Sequence, residues 1–332
     1  MSHFDVFNGD ADGICALHQL RLAAPRDSTL VTGLKRDIQL LRRVAARPGD
    51  SVTVLDISLD RNREALLNLL DKGVQVDYFD HHFAGAIPEH PKLRTHIDAA
   101  PDVCTSVIVD RHLQGLHRPW AVVAAFGDNL GPAAHALALS SGLTAQQTAR
   151  LRELGEAVNY NAYGASEADL PISPLDLYRA LRPYANPFEF IEGNAIAAML
   201  SEGRHRDLAM ARRQPAAFEL RAGRIYVLPD AAWAHRVQGA FANDLATRRP
   251  EHAHAVLCEV AGHGYSVSVR APVARSHGAD RLCLKYPGGG GRAGAAGIDD
   301  LPAERLPEFV EAFCEAFGAS AGKNTGHGVD SN

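Results

Sequence analysis

Short apolar runs recur through the first hundred residues, and several of them stop at acids or histidines. His3 to Phe7 predicts a first strand, Asn8-Gly9-Asp10-Ala11-Asp12-Gly13 a turn, and Ile14 to Leu22 a helix. Strand, Gly/Asp-rich turn and helix open an α/β domain, with the turn at a strand's carboxyl end. Ser28 to Thr32 predicts a second strand, and Ile38 to Ala46 a helix with Ile38, Leu41 and Ala45 on one face. Val52 to Leu55 is apolar enough for a buried parallel strand and ends at Asp56. A helix from Arg61 to Lys72, capped by Asp60, leads to the strand Val74 to Phe79, which ends at Asp80-His81-His82.

The pattern then changes. Thr95 to Asp98 predicts a short strand and Thr105 to Leu113 a helix, with the hydroxyls of Thr105 and Ser106 suited to capping it. Trp120 to Phe126 is apolar throughout, so periodicity leaves strand and buried helix both open. It stops at Gly127-Asp128-Asn129, where a helix C-terminal turn is disfavoured because an acid there opposes the helix dipole. Residues 144–213 are helical in pattern, with breaks at 164–174, Pro183 and Pro187, and Ala195 to Arg213 predicts a helix joining two domains. Beyond it come a hairpin over 218–228 turning at Ala222-Gly223, a helix over 231–247, and a second hairpin over 253–270. A short helix over 280–286, the run Gly288 to Gly297 and a helix from Ala303 to Phe317 complete the pattern. The fold class predicted is α/β: a mainly parallel-sheet domain over 1–190, a helical linker over 191–215, a smaller α/β domain over 216–317 and a disordered tail over 318–332.

Composition narrows the partners. Against 34 Lys and Arg stand 39 Asp and Glu, a formal net charge of −5, so the basic excess expected of proteins that hold long nucleic acids is absent. Small phosphorylated ligands or very short oligonucleotides suit this balance better. The five cysteines (15, 104, 258, 283 and 314) are scattered without a CxxC pair. With a start that has neither a basic region nor an apolar signal core, and no membrane-spanning run, they predict a cytoplasmic protein.

The acids carry the candidate chemistry. Asp10 and Asp12 suit both a helix-capped turn and metal binding, and the residues alone leave both readings open. Asp56, at the end of a buried strand, has no capping role and reads as functional. Asp80-His81-His82 offers one carboxylate and two imidazoles, ligand types for divalent metals. The run Gly288 to Gly297 is bracketed by ordered-looking elements, so it reads as a site of close backbone approach to an anion rather than a linker, with Arg292 as a donor to phosphate.

In this order the motifs resemble the DHH phosphoesterase superfamily, which includes RecJ-type exonucleases, nano-RNases, cyclic-dinucleotide phosphodiesterases and class II pyrophosphatases. The resemblance rests on Asn8 to Gly13, Asp56, Asp80-His81-His82, Gly127-Asp128, and the run Gly288 to Gly297 preceded by Ser266 to Arg270, and it spans nearly the whole chain. The C-terminal signature resembles the DHH-associated domain of the nuclease and nucleotide branches, not that of the pyrophosphatases. The resemblance implies that Asp10, Asp12, Asp56, His81 and Asp128 coordinate two divalent cations, manganese ahead of magnesium, with Asp56 bridging and Asn8 a further candidate. It implies that His82 faces the substrate phosphate, with Asp80 orienting an imidazole. It also implies that Arg270, Arg292 and Gly289, Gly290 and Gly291 hold substrate from the second domain.

Two departures stand out. Asn8 occupies a position where many members carry a metal-binding His or Asp, which loosens one metal site. Arg292 replaces a frequent His and cannot transfer a proton. The activity expected is hydrolysis of phosphodiester or phosphomonoester bonds in short oligonucleotides or nucleotide bisphosphates, by two-metal activation of water. Cyclic dinucleotides rank next, single-strand exonuclease action lower and pyrophosphate last. The rival reading is a nucleotide-binding regulator with a degenerate site, and a homodimer is compatible with either.

Overall fold

The strand-like runs of the first hundred residues join one sheet in a computed structural model that describes residues 1–318. These residues divide into two compact units, Met1–Arg206 and Asp207 onward. In the first unit the chain runs β1 (His3–Phe7), α1 (Ala11–Ala23), β2 (Thr29–Val31), β3 (Ser51–Leu55), α2 (Leu59–Asp71), β4 (Gln75–Asp80) and β5 (Leu93–Ile97). The strands lie in the order β2-β1-β3-β4-β5 and every pairing is parallel. Successive side chains alternate between faces. Phe7, Leu55 and Phe79 pack on one side with Ile14, Leu17 and Trp120, while Val6, Val54 and Tyr78 pack on the other with Leu59, Leu66 and Leu69. Burying each such side chain is worth about 2 kcal/mol, and coverage of both faces explains why these strands read as near-continuous apolar runs.

The strand order reverses between β1 and β3. In open parallel sheets this is where a crevice forms beyond the carboxyl ends, so the turn after β1 and the residue after β3 are brought together by topology. One buried charge lies away from that edge. Asp5, within β1, accepts hydrogen bonds from Arg21 Nε at 2.8 Å and Ser28 Oγ at 2.6 Å, and His3 Nε2 stands 3.0 Å away. Burial favours the neutral acid, yet the Arg21, His3 and Ser28 hydrogen bonds hold Asp5 at about 2.

Helices complete the unit: α3 (Thr105–His112), α4 (Arg118–Gly127), α5 (Gly131–Ser140), α6 (Ala145–Tyr160), α7 (Pro174–Leu181), α8 (Pro187–Gly193) and α9 (Ala195–Arg212). The division between the units falls within α9. The second unit runs β6 (Phe218–Leu220), β7 (Gly223–Leu228), α10 (Ala232–Arg248), β8 (Ala253–Val260), β9 (Gly264–Arg270), α11 (Ala279–Cys283), β10 (Gly289–Arg292), β11 (Ala295–Leu301) and α12 (Leu306–Gly318). Its sheet has the order β10-β11-β9-β8-β7-β6, parallel only between β7 and β8. The two-unit α/β architecture agrees with the expected fold class. The expected tail lies outside the described residues beyond Gly318, which itself closes α12. No helix among the described residues is long and apolar enough to cross a membrane.

Several local expectations are corrected. The helix expected over 38–46 is a single 3-10 turn, Leu40–Arg43, where Asn62 bonds the Ile38 carbonyl and the Leu41 N–H. The cap of α2 is Ser58, not Asp60, because Ser58 Oγ accepts from Arg61 N at 3.4 Å. The first hairpin of the second unit turns at Arg221-Ala222, one residue earlier than expected. Trp120 to Phe126 is helix, and Asp128 is its C-terminal cap residue, the placement that the dipole argument disfavoured. The Lys35 ammonium, 3.5 Å from Asp128 Oδ1, offsets the unfavourable dipole. Within the glycine run, Gly289 to Arg292 forms the edge strand β10, paired with β11. A side chain is excluded at Gly289, where a Cβ would stand 1.8 Å from the Cys283 carbonyl oxygen, whereas Gly290 faces open space.

Candidate metal centre

Each acid of the centre meets a neighbour's backbone N–H, hydroxyl or charge. Asp10 caps α1: its Oδ1 accepts from Asp12 N and Gly13 N, both at 3.0 Å, which leaves Oδ2 facing inward. Asn8 supports this turn, its side-chain oxygen accepting from Asp10 N at 3.2 Å. Asp12 caps α3 from a distance in sequence. Its two oxygens accept from Thr105 N and Ser106 N at 2.7 Å each, so a tertiary carboxylate takes the place of the local hydroxyl cap. Asp56 sits in the left-handed region with φ of 58°. That conformation is rare for a non-glycine residue but tolerated by Asp, and it turns the carboxylate off the end of β3 toward Thr105 Oγ1 at 3.3 Å.

His81 is aimed the same way. Its Nδ1 lies 3.0 Å from the Val103 carbonyl, which makes that nitrogen the donor and leaves Nε2 with a lone pair. Nε2 stands 3.4 Å from Asp56 Oδ1 and 4.0 Å from both Asp12 Oδ2 and Asp128 Oδ2. His82 is anchored by Asp80, with Nδ1 at 2.7 Å from Oδ1, while the His81 N–H at 2.9 Å uses the same oxygen. Asp80 is fully buried. Burial opposes charge on His82, but the Asp80 hydrogen bond and the surrounding carboxylates raise it above its ordinary value.

The charge balance of the centre is lopsided. Burial, and then repulsion from Asp10, Asp12 and Asp128, pushes Asp56 well above the carboxylate range. Burial likewise raises Asp128, against the attraction of Lys35. Lys35 Nζ lies 2.6 Å from Asp10 Oδ2. Burial disfavours its charge, yet Asp10, Tyr163 and Asp128 hold it well above its ordinary value. Asp10 in turn sits at about 2, where Lys35 and the Gly13 N–H outweigh burial.

Four carboxylates and an imidazole therefore converge on a space with a single ammonium. Among the described residues two triads place their ligand atoms within 4.8 Å of one another: Asp56 with His81 and His82, and Asp12 with His81 and Asp128. Oxygen donors with imidazole suit a hard or borderline divalent cation, and the uncompensated charge around Asp56 is what such a cation would neutralise. The residues present fit the group. Lys35, the Val103 carbonyl and the Thr105 and Ser106 N–H groups were not singled out in the sequence. The available signal for Lys35 was its place just beyond the predicted second strand, a strand-end position like those of the acids.

The second unit carries the remaining expected residues. Arg270, Ala295 and Arg292 are in register across β9, β11 and β10, so their side chains share one sheet face. Arg270 is tied into its own unit through Asn243 Oδ1 at 2.6 Å, Ser268 Oγ at 3.0 Å and the Val269 carbonyl at 2.9 Å. Arg292 is exposed at the end of β10.

No family model and no curated protein matches the chain. Solved structures do. The exonuclease RecJ bound to manganese superposes with a TM-score of 0.59 at 18% identity, over 96% of this chain and 91% of that one. RecJ from Thermus thermophilus in complex with Mn²⁺ gives 0.58 at 18% identity, over 96% of this chain and 52% of its own. The pGpG-specific phosphodiesterase PggH from Vibrio cholerae gives 0.57 at 15% identity, over 97% of this chain and 100% of that one. The chain has a RecJ-like fold.

Proposed function

We propose that this protein is a divalent-cation-dependent phosphoesterase acting on small nucleotides or short oligonucleotides. The observation that carries the reading is the convergence of Asp10, Asp12, Asp56, Asp128 and His81 Nε2 at the switch point of the parallel sheet, with one ammonium against four carboxylates. Asp10, Asp12, Asp56, Asp128 and His81 are the residues that would hold two cations, and Asn8 is assigned to keeping Asp10 in place. Bound there, divalent cations supply positive charge to the phosphoryl oxygens and lower the pKa of water. His82, with Nδ1 fixed by Asp80, is assigned to protonating the leaving oxygen through Nε2 as the P–O bond breaks and the water oxygen bonds to phosphorus, the water's own proton passing to solvent. Arg270, Arg292 and Gly289 to Gly291 are the assigned anion contacts of the second unit. Likeness to a manganese-bound exonuclease and a pGpG-specific phosphodiesterase supports this class of substrate, and manganese is the first metal to try.

One observation favours the rival, a nucleotide-binding regulator without turnover: Lys35 is already paired to Asp10 and Asp128. The deciding experiment compares initial rates in Mn²⁺ on di- to pentanucleotides, adenosine bisphosphate, cyclic dinucleotides, polyphosphate and bis-p-nitrophenyl phosphate. Metal-dependent turnover of the short nucleotides supports the enzyme, with the fastest substrate giving the class. Nucleotide binding with no turnover of any compound supports the regulator.

A further inference from the structure

The two sides of the centre are not equivalent. On one side, Asp12, Asp56, Asp128, His81 and His82 bring ligand atoms within 4.8 Å in two overlapping triads, and Asp10 is in neither. On the other side stands Asp10, whose Oδ1 is committed to two N–H groups and whose Oδ2 meets Lys35 Nζ at 2.6 Å. Asn8, the neighbouring donor, is neutral, and its oxygen is engaged by the Asp10 N–H. A lysine ammonium has three donors and no lone pair, so it neutralises carboxylates without joining a metal's ligand set.

Lys35 is placed there by the fold. Its backbone N–H donates to the Ala162 carbonyl at 3.1 Å. The segment that carries it lies against the turn after β1 so closely that a Cβ on Gly9 would stand 2.1 Å from the Gly33 carbonyl oxygen. The ammonium lies 5.6 Å from the centroid of the Tyr163 ring and 3.5 Å from Asp128 Oδ1. The four-carbon stem is flexible enough to withdraw.

We propose that Lys35 is a tethered internal cation that occupies the Asp10 side of the centre, so that the protein binds one divalent ion tightly and a second only by displacing the lysine. This rests on the metal reading above and deepens it. Two positive charges cannot share Asp10 without repelling each other at a few ångströms' separation. Loading of the second ion is thereby made a function of the lysine's position, and a substrate phosphate that draws Lys35 away from Asp10 would favour it.

The test is Mn²⁺ titration of chelator-stripped protein by calorimetry, with bound metal counted by elemental analysis. The wild type is expected to show two unequal classes of site. Lys35→Met is expected to tighten the weaker class by roughly tenfold or more while the tighter class moves much less, and Lys35→Arg to restore the gap. Lys35→Gln, which keeps a hydrogen-bond donor for Asp10 without the charge, takes the place of Lys35→Met if that variant fails to fold. Two equal sites in the wild type, or a weaker class that neither uncharged variant shifts, would overturn the inference and leave the metal reading standing. Absence of Mn²⁺ uptake by all variants and the wild type would remove the metal reading and the inference with it.

Discussion

Two buried carboxylate clusters lie within five residues of each other along the first strand and its turn, and they are built on opposite principles. Asp5 is compensated: Arg21, Ser28 and His3 converge on one carboxylate and hold it at about 2. At the strand end, Asp10, Asp12, Asp56 and Asp128 share one ammonium, and Asp56 is driven well above the ordinary range by burial and like charge. The contrast separates a structural ion pair from a cation site. A fold can bury a charge at modest cost if it brings the partner. It leaves a charge without enough partners only where something else supplies them.

The sharpest way to break the contrast is to neutralise one acid in each cluster. Asp56→Asn keeps a side chain that tolerates the left-handed backbone and should lower Mn²⁺-dependent turnover on the order of a thousandfold. In metal-free protein the same change should leave the melting temperature equal or higher, because a repelling charge is removed. Full activity in Asp56→Asn would dissolve the assignment. Arg21→Met tests the other cluster: it strands Asp5 and should cost about 3–5 kcal/mol in urea denaturation. An unchanged midpoint would mean that His3 and Ser28 alone suffice.

Adding Mn²⁺ should stabilise the wild type by about 2.7 kcal/mol at a hundredfold excess over the dissociation constant, read as a rise in melting temperature that a chelator reverses. Arg21→Met should keep this increment and Asp56→Asn should lose most of it. The smallest effect is that of pH on Asp5. Its folded value lies below the unfolded one, so its stabilisation is fully present above about pH 3.9. It fades as pH falls and is lost by about 2, a contribution of about 2–3 kcal/mol. The difference in stability between wild type and Asp5→Asn should therefore shrink across that acid window, and a constant difference would refute the ion-pair account.

The strand ends were legible because β-branched and aromatic runs that stop at Asp10, Asp56 and Asp80 carry both the strand and its punctuation. The segment over 38–46 was not, because helical periodicity there competes with tertiary bonds from Asn62. Asp128 was placed against expectation because the dipole argument is local, whereas its compensation comes from Lys35, 93 residues earlier. The glycine run was read for anion contact, and its strand character was not legible, because that depends on pairing with the strand Ala295–Leu301.

By itself the sequence determined the alternating α/β pattern, a mainly parallel sheet and the chemical types at the strand ends, since periodicity and residue chemistry are local properties. Tertiary structure alone decided the strand order that sets Asp56 beside Asp10 and the carbonyl of Val103 that turns Nε2 of His81 inward. It also decided the helix that Asp12 caps across the fold and the lysine that reaches Asp10. Each of these is a pairing between distant segments, chosen by which contacts satisfy buried polar groups in three dimensions.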